Sequence, residues 1–494
     1  MKSTGEENLD TKLWGRFETT FKNERRYQNP FTDVELQAEF ISPGGHNVKT
    51  WGFYDGSNTW KLRFMPDQTG TWTYSAWFSD HPSEKVSGTF TCVPSDIPGM
   101  ISADQTNPVW FGFKGGKHIF IRSFQVGDRF FASNWSAEKR AAFLDWAVQN
   151  KYNTLSIASH YLNRPGKGRG AGWDTPVLWD SQKQQPDPAE YRKMEHILDD
   201  LAARKLIVFP FGGFFGQQSD YPRESKDQLT YIKYTLARLG AYWNLLFNVS
   251  GPEPMLERLH EFTKDEIDAW GATIDSLDIY GHLLTVHNVP RQNPFVHESW
   301  ASYQCVQGPK TVNLDSLYEG LLRVRNSEEP LYAQETLWYG NIYHQQKVGH
   351  EYTDENLRRN AWVIALAGAA LNFADNQGNS SSGFSGTLEL DERHQDKHEV
   401  IKKVWDFFAS IPFYQLSPSP DLVDHGYCLA DPGKTYLVYL PYGGNVTVKT
   451  MPGPYQGKWI KGSDTKVQIP VELTHRTALQ APSRKDWILY LTKK

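Results

Sequence analysis

Two glutamates, Glu253 and Glu335, stand where a mostly apolar stretch gives way to a turn or to aromatic residues. Glu253 follows "NLLFNVSGP", and Glu335 follows "PLYAQ". Each stretch is typical of a buried strand, and a strand that ends in a carboxylate is how a (β/α)8 barrel delivers catalytic groups to its open face. The chemistry available to such carboxylates is general acid–base catalysis and nucleophilic attack.

The spacing of the two glutamates agrees with one shared site. They lie 82 residues apart, which is close to three βα units at roughly 30 residues each. If Glu253 ends the fourth strand, Glu335 ends the seventh, and both face the same opening. Such a carboxylate pair predicts cleavage of a glycosidic bond. We predict a retaining reaction with Glu253 as general acid/base and Glu335 as nucleophile, which needs no metal or organic cofactor.

Other polar and aromatic residues follow the same predicted strands and are candidates for substrate binding. Imidazole and amide groups can bind sugar hydroxyls, and an indole such as Trp338 can stack on a sugar ring. For each of them, packing in the core or on the surface is the alternative interpretation. The predicted substrate-binding residues are His160, Tyr161, Arg164, Arg169, His287, Asn288, Gln307, Trp338 and Asp375.

A glycine-rich loop, "NRPGKGRGAGWD", carries Arg164, Lys167 and Arg169 after the second predicted strand. Guanidinium groups match the geometry of carboxylate and sulfate groups. We therefore expect the loop to favour an anionic saccharide, with a solvated loop as the alternative.

His394 and His398 have the i, i+4 spacing of a metal-binding pair on a helix. Their segment, "HQDKHE", is dense in charge. The sequence therefore predicts an exposed helix face there and no metal site.

Composition excludes several classes of protein. The 494 residues carry a net charge of −5 at a pI near 6.3, which argues against a general nucleic-acid binder. No apolar run approaches the ~18 residues of a membrane-spanning helix, and the three scattered cysteines predict neither a disulfide framework nor a metal site.

The first ten residues lack the apolar segment of a signal peptide. A chain whose leader had been removed would also lack this segment, so the sequence leaves the compartment open. If a leader was removed, the protein is periplasmic or secreted. Oligomeric state stays open too.

The sequence divides into three segments that differ in the pattern of their apolar residues and turn residues. Residues 12–95 show short alternating runs split by turn residues, such as "VELQAEFISP" and "GTWTYSAWF", which predict a small β-sandwich. Residues 105–412 alternate eight apolar strands with amphipathic helices, and residues 413–494 return to short strands that predict a second β-sandwich. Strands that are each followed by a helix predict a central (β/α)8 TIM barrel. A doubly wound open sheet is the alternative, and "FPFGGFFG" lacks the glycine spacing that it needs.

Several stretches also resemble a known group of enzymes. "TVHNVPRQNPFVHESWASYQCVQGP" and "ENLRRNAWVIALAGAALNFADN" resemble the barrel of the apiosidase-like group, glycoside hydrolase family 140 and its relatives in clan A. "NPFTDVELQAEFISPGG" resembles the sandwich that precedes many bacterial polysaccharide-degrading barrels, and "APSRKDWILYL" resembles a collagen-binding-like carboxyl-terminal sandwich.

The resemblance implies a glycoside hydrolase with a strand-4 acid at Glu253 and a strand-7 nucleophile at Glu335. The chain departs from the group at Gly251-Pro252-Glu253, where the group often has Gly-Gly before an aspartate, and in "IRSFQVGD", where it has Asp-Thr-x-Trp. We expect a plant or algal polysaccharide or oligosaccharide as substrate. A non-catalytic carbohydrate-binding barrel and a polysaccharide lyase are the alternatives.

Overall fold

The computed structural model describes residues 2–3, 10–127, 129–157, 174–215, 221–251, 253–255, 262–288, 292–339, 353–375, 388–391, 393–449, 451, 453–471 and 478–494. For residues 2, 3, 127 and 338 it describes the backbone alone. Three regions follow one another: a mostly antiparallel sheet region, a central region of parallel strands and helices, and a second antiparallel sheet region.

The amino-terminal region is a β-sandwich, as the sequence predicts. Along Phe17–Lys22 and Leu36–Ile41, buried and more exposed residues alternate, because successive side chains of a strand point to opposite faces. The inward faces share an aromatic core. In spatial order, one sheet contains Lys2–Ser3, Phe17–Lys22, Thr59–Phe64 and Phe53–Gly56, and the other contains Thr11–Lys12, Val86–Val93, Gly70–Phe78, Leu36–Ile41 and Asn47–Trp51.

Eight parallel strands are described in the central region. Each lies within, or overlaps, a stretch that the sequence predicts to be a strand. They are β1 (Arg122–Gly127), β2 (Thr154–Ile157), β3 (Ile207–Pro210), β4 (Phe247–Ser250), β5 (Leu284–Val286), β6 (Gln304–Val306), β7 (Leu331–Tyr339) and β8 (Ala369–Asp375). One sheet has the order β3-β2-β1-β8-β7-β6, so the first and last strands pair, and β4 pairs with β5 in a second sheet. Backbone hydrogen bonds at 3.0 Å from Leu246 to Val208 and from Ser302 to Leu284 bring the two sheets alongside each other at both edges.

Helices pack outside these strands with their apolar faces inward, as their periodicity predicts. Thr263 and Thr353 begin two of them with reciprocal side-chain and backbone hydrogen bonds, which satisfy amide groups of the first turn. The described helices are α1 (Ala137–Gln149), α2 (Pro188–Ala203), α3 (Ser225–Leu239), α4 (Lys264–Leu277), α5 (Leu314–Arg323), α6 (Asp354–Leu366) and α7 (Gln395–Ala409).

The expectation that every strand is followed by a helix is wrong at β5. The described residues between β5 and β6, 287–288 and 292–303, contain turns and no helix. Side chains hold this segment instead: Asn293 donates to the Val324 carbonyl at 3.0 Å, and Phe295 and Trp300 are buried against each other.

A hairpin of Ile101–Ala103 and Phe111–Phe113 covers the amino-terminal ends of the parallel strands. Its Phe111 packs edge-on against Tyr303, just before β6, and against Tyr332 near the start of β7. Because these apolar side chains cover the amino-terminal ends, polar groups can be accommodated at the opposite, carboxyl-terminal ends of the strands.

The carboxyl-terminal region is antiparallel. A six-stranded sheet runs in the order Ser417–Pro418, Tyr427–Asp431, Thr435–Leu440, Trp487–Lys493, Tyr455–Lys461 and Asp464–Val471, beside a pair of Asn445–Thr447 and Ala478–Gln480. It is joined to the central region by a buried ion pair of Arg358 with Asp486 at 2.8 Å. Short 3-10 helices, Phe413–Gln415 and Pro420–Leu422, flank the first strand of this sheet. In the central region a two-residue strand pair, Trp179–Asp180 with Gln185–Pro186, precedes α2.

A buried charge network fixes the amino-terminal sandwich to the central helices. Glu195 on α2 accepts hydrogen bonds from Arg63 of the sandwich and from Arg238 on α3 at 2.6–3.1 Å. Arg238 also reaches Asp55 of the sandwich at 2.9 Å. Since all three members of the Glu195 cluster are nearly inaccessible to water, the contact is specific and depends on each charge. No described helix has the length and apolar character to cross a membrane.

Candidate active site

Glu335 points into a polar site because β7 changes register beside it. β7 pairs with β8 regularly up to Ala333, and pairing resumes at Leu337 with two extra residues on the β7 side. Such a bulge re-aims the side chains of the bulged strand. Glu335 is 1% exposed, and its Oε2 accepts hydrogen bonds from Gln307 Nε2 and Lys310 Nζ, each at 2.8 Å.

The surroundings of Glu335 favour its charged form. Burial alone would raise the pKa of Glu335, but the charge of Lys310 and the hydrogen bonds from Lys310 and Gln307 outweigh burial and hold the pKa below its ordinary value. Glu335 is therefore a buried carboxylate that is ionised at neutral pH. Gln307 is among the residues predicted from the sequence, but Lys310 is not, although a cation three residues after Gln307 was a readable signal.

Glu253 sits at the end of β4 in a constrained turn. Its φ of +54° lies in the left-handed region, which non-glycine residues rarely adopt outside functional or strained positions. Its backbone N–H donates to the His287 carbonyl at 2.8 Å. A Cβ at Gly251 would lie 2.3 Å from the Phe211 carbonyl oxygen and 2.6 Å from Asn248 Nδ2, so the turn accepts only glycine there. The half-buried Glu253 is thus fixed relative to β3 and β5.

His287 is fully buried at the end of β5, and its hydrogen bond defines its tautomer. Gln334 donates through Nε2 to Gln125 Oε1 at 2.7 Å, so Gln334 Oε1 is free to accept from His287 Nε2, also at 2.7 Å. The proton is therefore assigned to Nε2 and the lone pair to Nδ1. Burial lowers the pKa of His287, which keeps the ring neutral. Nδ1 is buried with no hydrogen-bond partner among the described residues.

Amide and hydroxyl groups inside the strand array support this histidine. Gln125 Oε1 also accepts from Asn372 Nδ2 at 3.0 Å, and Asn372 Nδ2 donates to the Gln334 carbonyl at 2.6 Å. Gln334 further donates to Ser156 Oγ at 3.2 Å. Sequence analysis misses these residues, for which polar side chains within otherwise apolar predicted strands were the signal.

His287 brings the two glutamates to one place. It binds the backbone of Glu253 through its carbonyl and the neighbour of Glu335, Gln334, through its ring. Both carboxylates also act electrostatically on its ring, where they oppose the effect of burial on its pKa. Glu253, Glu335, His287 and Gln307, four of the predicted site residues, therefore converge at the carboxyl ends of β4 to β7.

Asn288 is buried beside this cluster. Its Nδ2 donates to the Val286 carbonyl at 3.1 Å and to Asn293 Oδ1 at 3.4 Å. Its Oδ1 is buried with no partner in the described part of the chain, so one acceptor remains for a hydroxyl group.

Asp375 at the end of β8 differs, because both of its carboxylate oxygens are engaged. Arg393 donates to Oδ1 at 2.6 Å, and His398 Nε2 lies 2.6 Å from Oδ2. Burial opposes ionisation, but Arg393 and His398 hold the pKa of Asp375 below its ordinary value. These bonds favour an anchoring role for Asp375, and its contact with substrate stays a prediction.

The expectation that His398 lies on an exposed helix face is wrong. The residue is fully buried, because its face of α7 packs on Phe124 and Phe373, and its Nδ1 lies 2.5 Å from the Tyr152 hydroxyl. His394 is half-buried and contacts Tyr339 edge-on. No group of three or more potential metal ligands is found among the described residues.

Several predicted site residues lie outside the described residues: His160, Tyr161, Arg164, Lys167 and Arg169. Of Trp338 only the backbone is described, and it pairs with Ala374 in β8.

Two protein families match parts of the chain. Residues 10–79 match the family of unknown function DUF5060, and residues 129–372 match the family described as "Apiosidase-like, catalytic domain". No curated protein is detectably similar to the chain.

Solved structures show the fold. A candidate glycoside hydrolase from Bacteroides vulgatus ATCC 8482 superposes with a TM-score of 0.74 at 17% identity, over 99% of this chain and 100% of that one. A glycoside hydrolase of family 5 from the same organism has a TM-score of 0.61 at 15% identity, over 80% of this chain and 95% of that one. A further glycoside hydrolase has a TM-score of 0.63 at 14% identity, over 81% and 99%. Residues 129–372 are therefore similar to an apiosidase-like catalytic domain, and the chain is a glycoside hydrolase.

Proposed function

We propose that the chain cleaves a glycosidic bond with retention of configuration, with Glu335 as nucleophile and Glu253 as general acid/base. The observation that carries this proposal is Glu335 itself. A carboxylate that is 1% exposed is costly to bury, yet two donors converge on it and favour its charged form. A nucleophilic carboxylate has to be ionised before the substrate arrives.

The scaffold we propose is a closed (β/α)8 barrel across residues 105–412, flanked by sandwiches at 12–95 and 413–494. The pairing of β1 with β8 and the hydrogen bonds on both sides of the β4–β5 pair support closure. In such a barrel the ends of β4 and β7 face one opening.

In the proposed reaction the Glu335 carboxylate attacks the anomeric carbon while the bond to the leaving oxygen breaks. Glu253 gives its proton to that oxygen and becomes a carboxylate. It then takes a proton from water, whose oxygen attacks the anomeric carbon and releases Glu335. This sequence requires the two carboxyl groups to stand about 5–5.5 Å apart.

The substrate is a carbohydrate. We assign His287 and Asn288 to hydroxyl binding, because each keeps a buried acceptor atom without a partner among the described residues. Trp338 is the proposed stacking residue, with His160 and Tyr161 on the neighbouring segment. An anionic plant or algal saccharide is the proposed substrate class, supported by Arg164 and Arg169 in sequence.

The test is a panel of plant and algal glycans and aryl glycosides, followed by variants on the substrate that is cleaved. Glu335→Gln should abolish turnover, because an amide cannot form the glycosyl ester. Glu253→Gln should spare substrates with good leaving groups, which need little proton donation, and azide should rescue Glu253→Ala.

Three results would contradict the proposal. An unsaturated product would reveal a lyase. Binding without release of reducing sugar would indicate a carbohydrate-binding scaffold. Near-normal rates in both glutamate variants would place the catalytic acids elsewhere.

A further inference from the structure

We propose that Lys310 is a positioning residue for the reaction: it holds Oε2 of Glu335, keeps the carboxylate charged, and leaves Oε1 as the attacking oxygen. This inference rests on the proposed role of Glu335 as nucleophile. It adds a residue that neither the strand-end pattern nor the family resemblance identified.

The first support is the direction of the hydrogen bonds. Gln307 Nε2 and Lys310 Nζ both end on Oε2, each at 2.8 Å. Within the described part of the chain, no donor ends on Oε1. Because an oxygen that accepts two hydrogen bonds has its lone pairs occupied, attack through Oε1 is the easier route.

The second support is that the Lys310 backbone is held in place. The preceding Pro309 packs so tightly on α5 that a Cβ at Gly320 would lie 2.9 Å from its ring. The carbonyl of the following Thr311 accepts from Asn360 Nδ2 at 2.7 Å, which ties the segment to α6. The Lys310 side chain is 9% exposed, so its ammonium group has little freedom to leave the carboxylate.

The third support is the charge of the neighbours. Besides Lys310, the titratable groups that act on Glu335 or its partners include His287, Cys305 and Glu253. Burial lowers the pKa of His287 and raises the pKa of Cys305, so both are neutral at pH 7. Lys310 is therefore the cation with the largest effect on Glu335. Without it, a buried carboxylate would take up a proton.

The experiment compares Lys310→Met with Lys310→Arg on an aryl glycoside that the wild type cleaves. An opposite charge at this distance lowers a carboxyl pKa by about 1–3 units. Lys310→Met should therefore move the acidic limb of the pH profile of kcat/KM upward by about 1–3 pH units. Lys310→Arg should return the limb close to its wild-type position, because it retains the charge.

Lys151→Met is the matched control. Lys151 pairs with Asp406 at the same 2.8 Å, but both side chains are about half exposed and remote from the site. Its pH profile should equal that of the wild type. An acidic limb that stays in place in Lys310→Met would overturn the role of Lys310.

A second measurement needs no substrate. Thermal melting of Lys310→Met, Glu335→Gln and the double variant should show a smaller loss in the double variant than the sum of the single losses. The loss in Lys310→Met should also shrink between pH 7 and pH 5, as the buried Glu335 is protonated. Additive losses would overturn the ion pair. Coupled losses in a protein that cleaves no glycoside would instead contradict the proposed function and leave the ion pair standing.

Discussion

Replacing Gly251 by alanine tests whether the turn after β4 positions Glu253. The added Cβ would lie 2.3 Å from the Phe211 carbonyl oxygen and 2.9 Å from the His287 Cβ. Ordinary contacts between such atoms begin near ~3.5 Å, so the backbone of the turn has to move by about 1 Å. The obstacles are a backbone atom of Phe211, just after β3, and the Cβ of His287, just after β5, and neither can rotate away.

A displacement of this size has two measurable consequences. Overpacking typically lowers the free energy of unfolding by about 1–3 kcal/mol. A misplacement of about 1 Å in a catalytic group can cost roughly 10²-fold in rate. Since Glu253 is the proposed acid, the loss in kcat/KM should be larger for glycosides with poor leaving groups than for those with good ones.

Steady-state kinetics on a pair of such glycosides, together with thermal melting, checks this expectation. Gly44→Ala is the control, because its Cβ would first meet the end of the flexible Gln68 side chain at 3.3 Å. If Gly251→Ala kept the kcat/KM of the Gly44→Ala control on both glycosides, the argument that this turn positions the acid would be refuted.

Three other predictions follow from the fold and the sequence. Glu195→Gln should lower the free energy of unfolding by about 3–5 kcal/mol at pH 7, because it removes the buried carboxylate that Arg63 and Arg238 share. Burial opposes the charge of Glu195, but the arginines lower its pKa from 4.5 to about 2. The stability from this group is therefore present above pH 4.5 and is lost as the pH falls toward 2, and denaturation across that range should show the variant approaching the wild type. Trp338→Ala should cost about 1–3 kcal/mol in kcat/KM if the ring stacks on sugar; normal kinetics with a lower Tm would assign it to packing. Charge reversal of Arg164 and Arg169 should raise KM for an anionic glycan and leave KM for a neutral one unchanged, and equal effects on both would remove the anionic preference.

Sequence reasoning located the eight central strands because each is a short apolar run between turns and helices, a local signal. It pointed to Glu253 and Glu335 because each follows such a run. In the structure Glu335 lies within β7 and not at its end, and the catalytic role of both glutamates stays a prediction. The strand bounds differ by a few residues, since β1 begins at Arg122 and the apolar stretch begins earlier. The local pattern was therefore sufficient to predict the order of the strands.

The burial and contacts of residues whose partners are distant in sequence could not be predicted from local patterns. His398 looked exposed because its neighbours in sequence are charged, but it contacts Tyr152, just before β2, and Asp375, at the end of β8. Lys310 and Gln334 became candidates only once the structure showed their hydrogen bonds. Lys310 donates to Glu335, and Gln334 accepts from His287. The absence of a helix from the described residues after β5 could not be predicted for a similar reason, because long-range side-chain contacts hold that segment.

The most direct test of the proposed mechanism is mass spectrometry of the trapped enzyme. The wild type would be incubated with the 2-deoxy-2-fluoro analogue of the aryl glycoside that it cleaves, digested and mapped. We expect one added glycosyl group per chain, attached to Glu335, and no addition in Glu335→Gln. A glycosyl group on another residue, or turnover of the parent glycoside to a product of inverted configuration with no adduct, would contradict the assignment of Glu335 as the nucleophile.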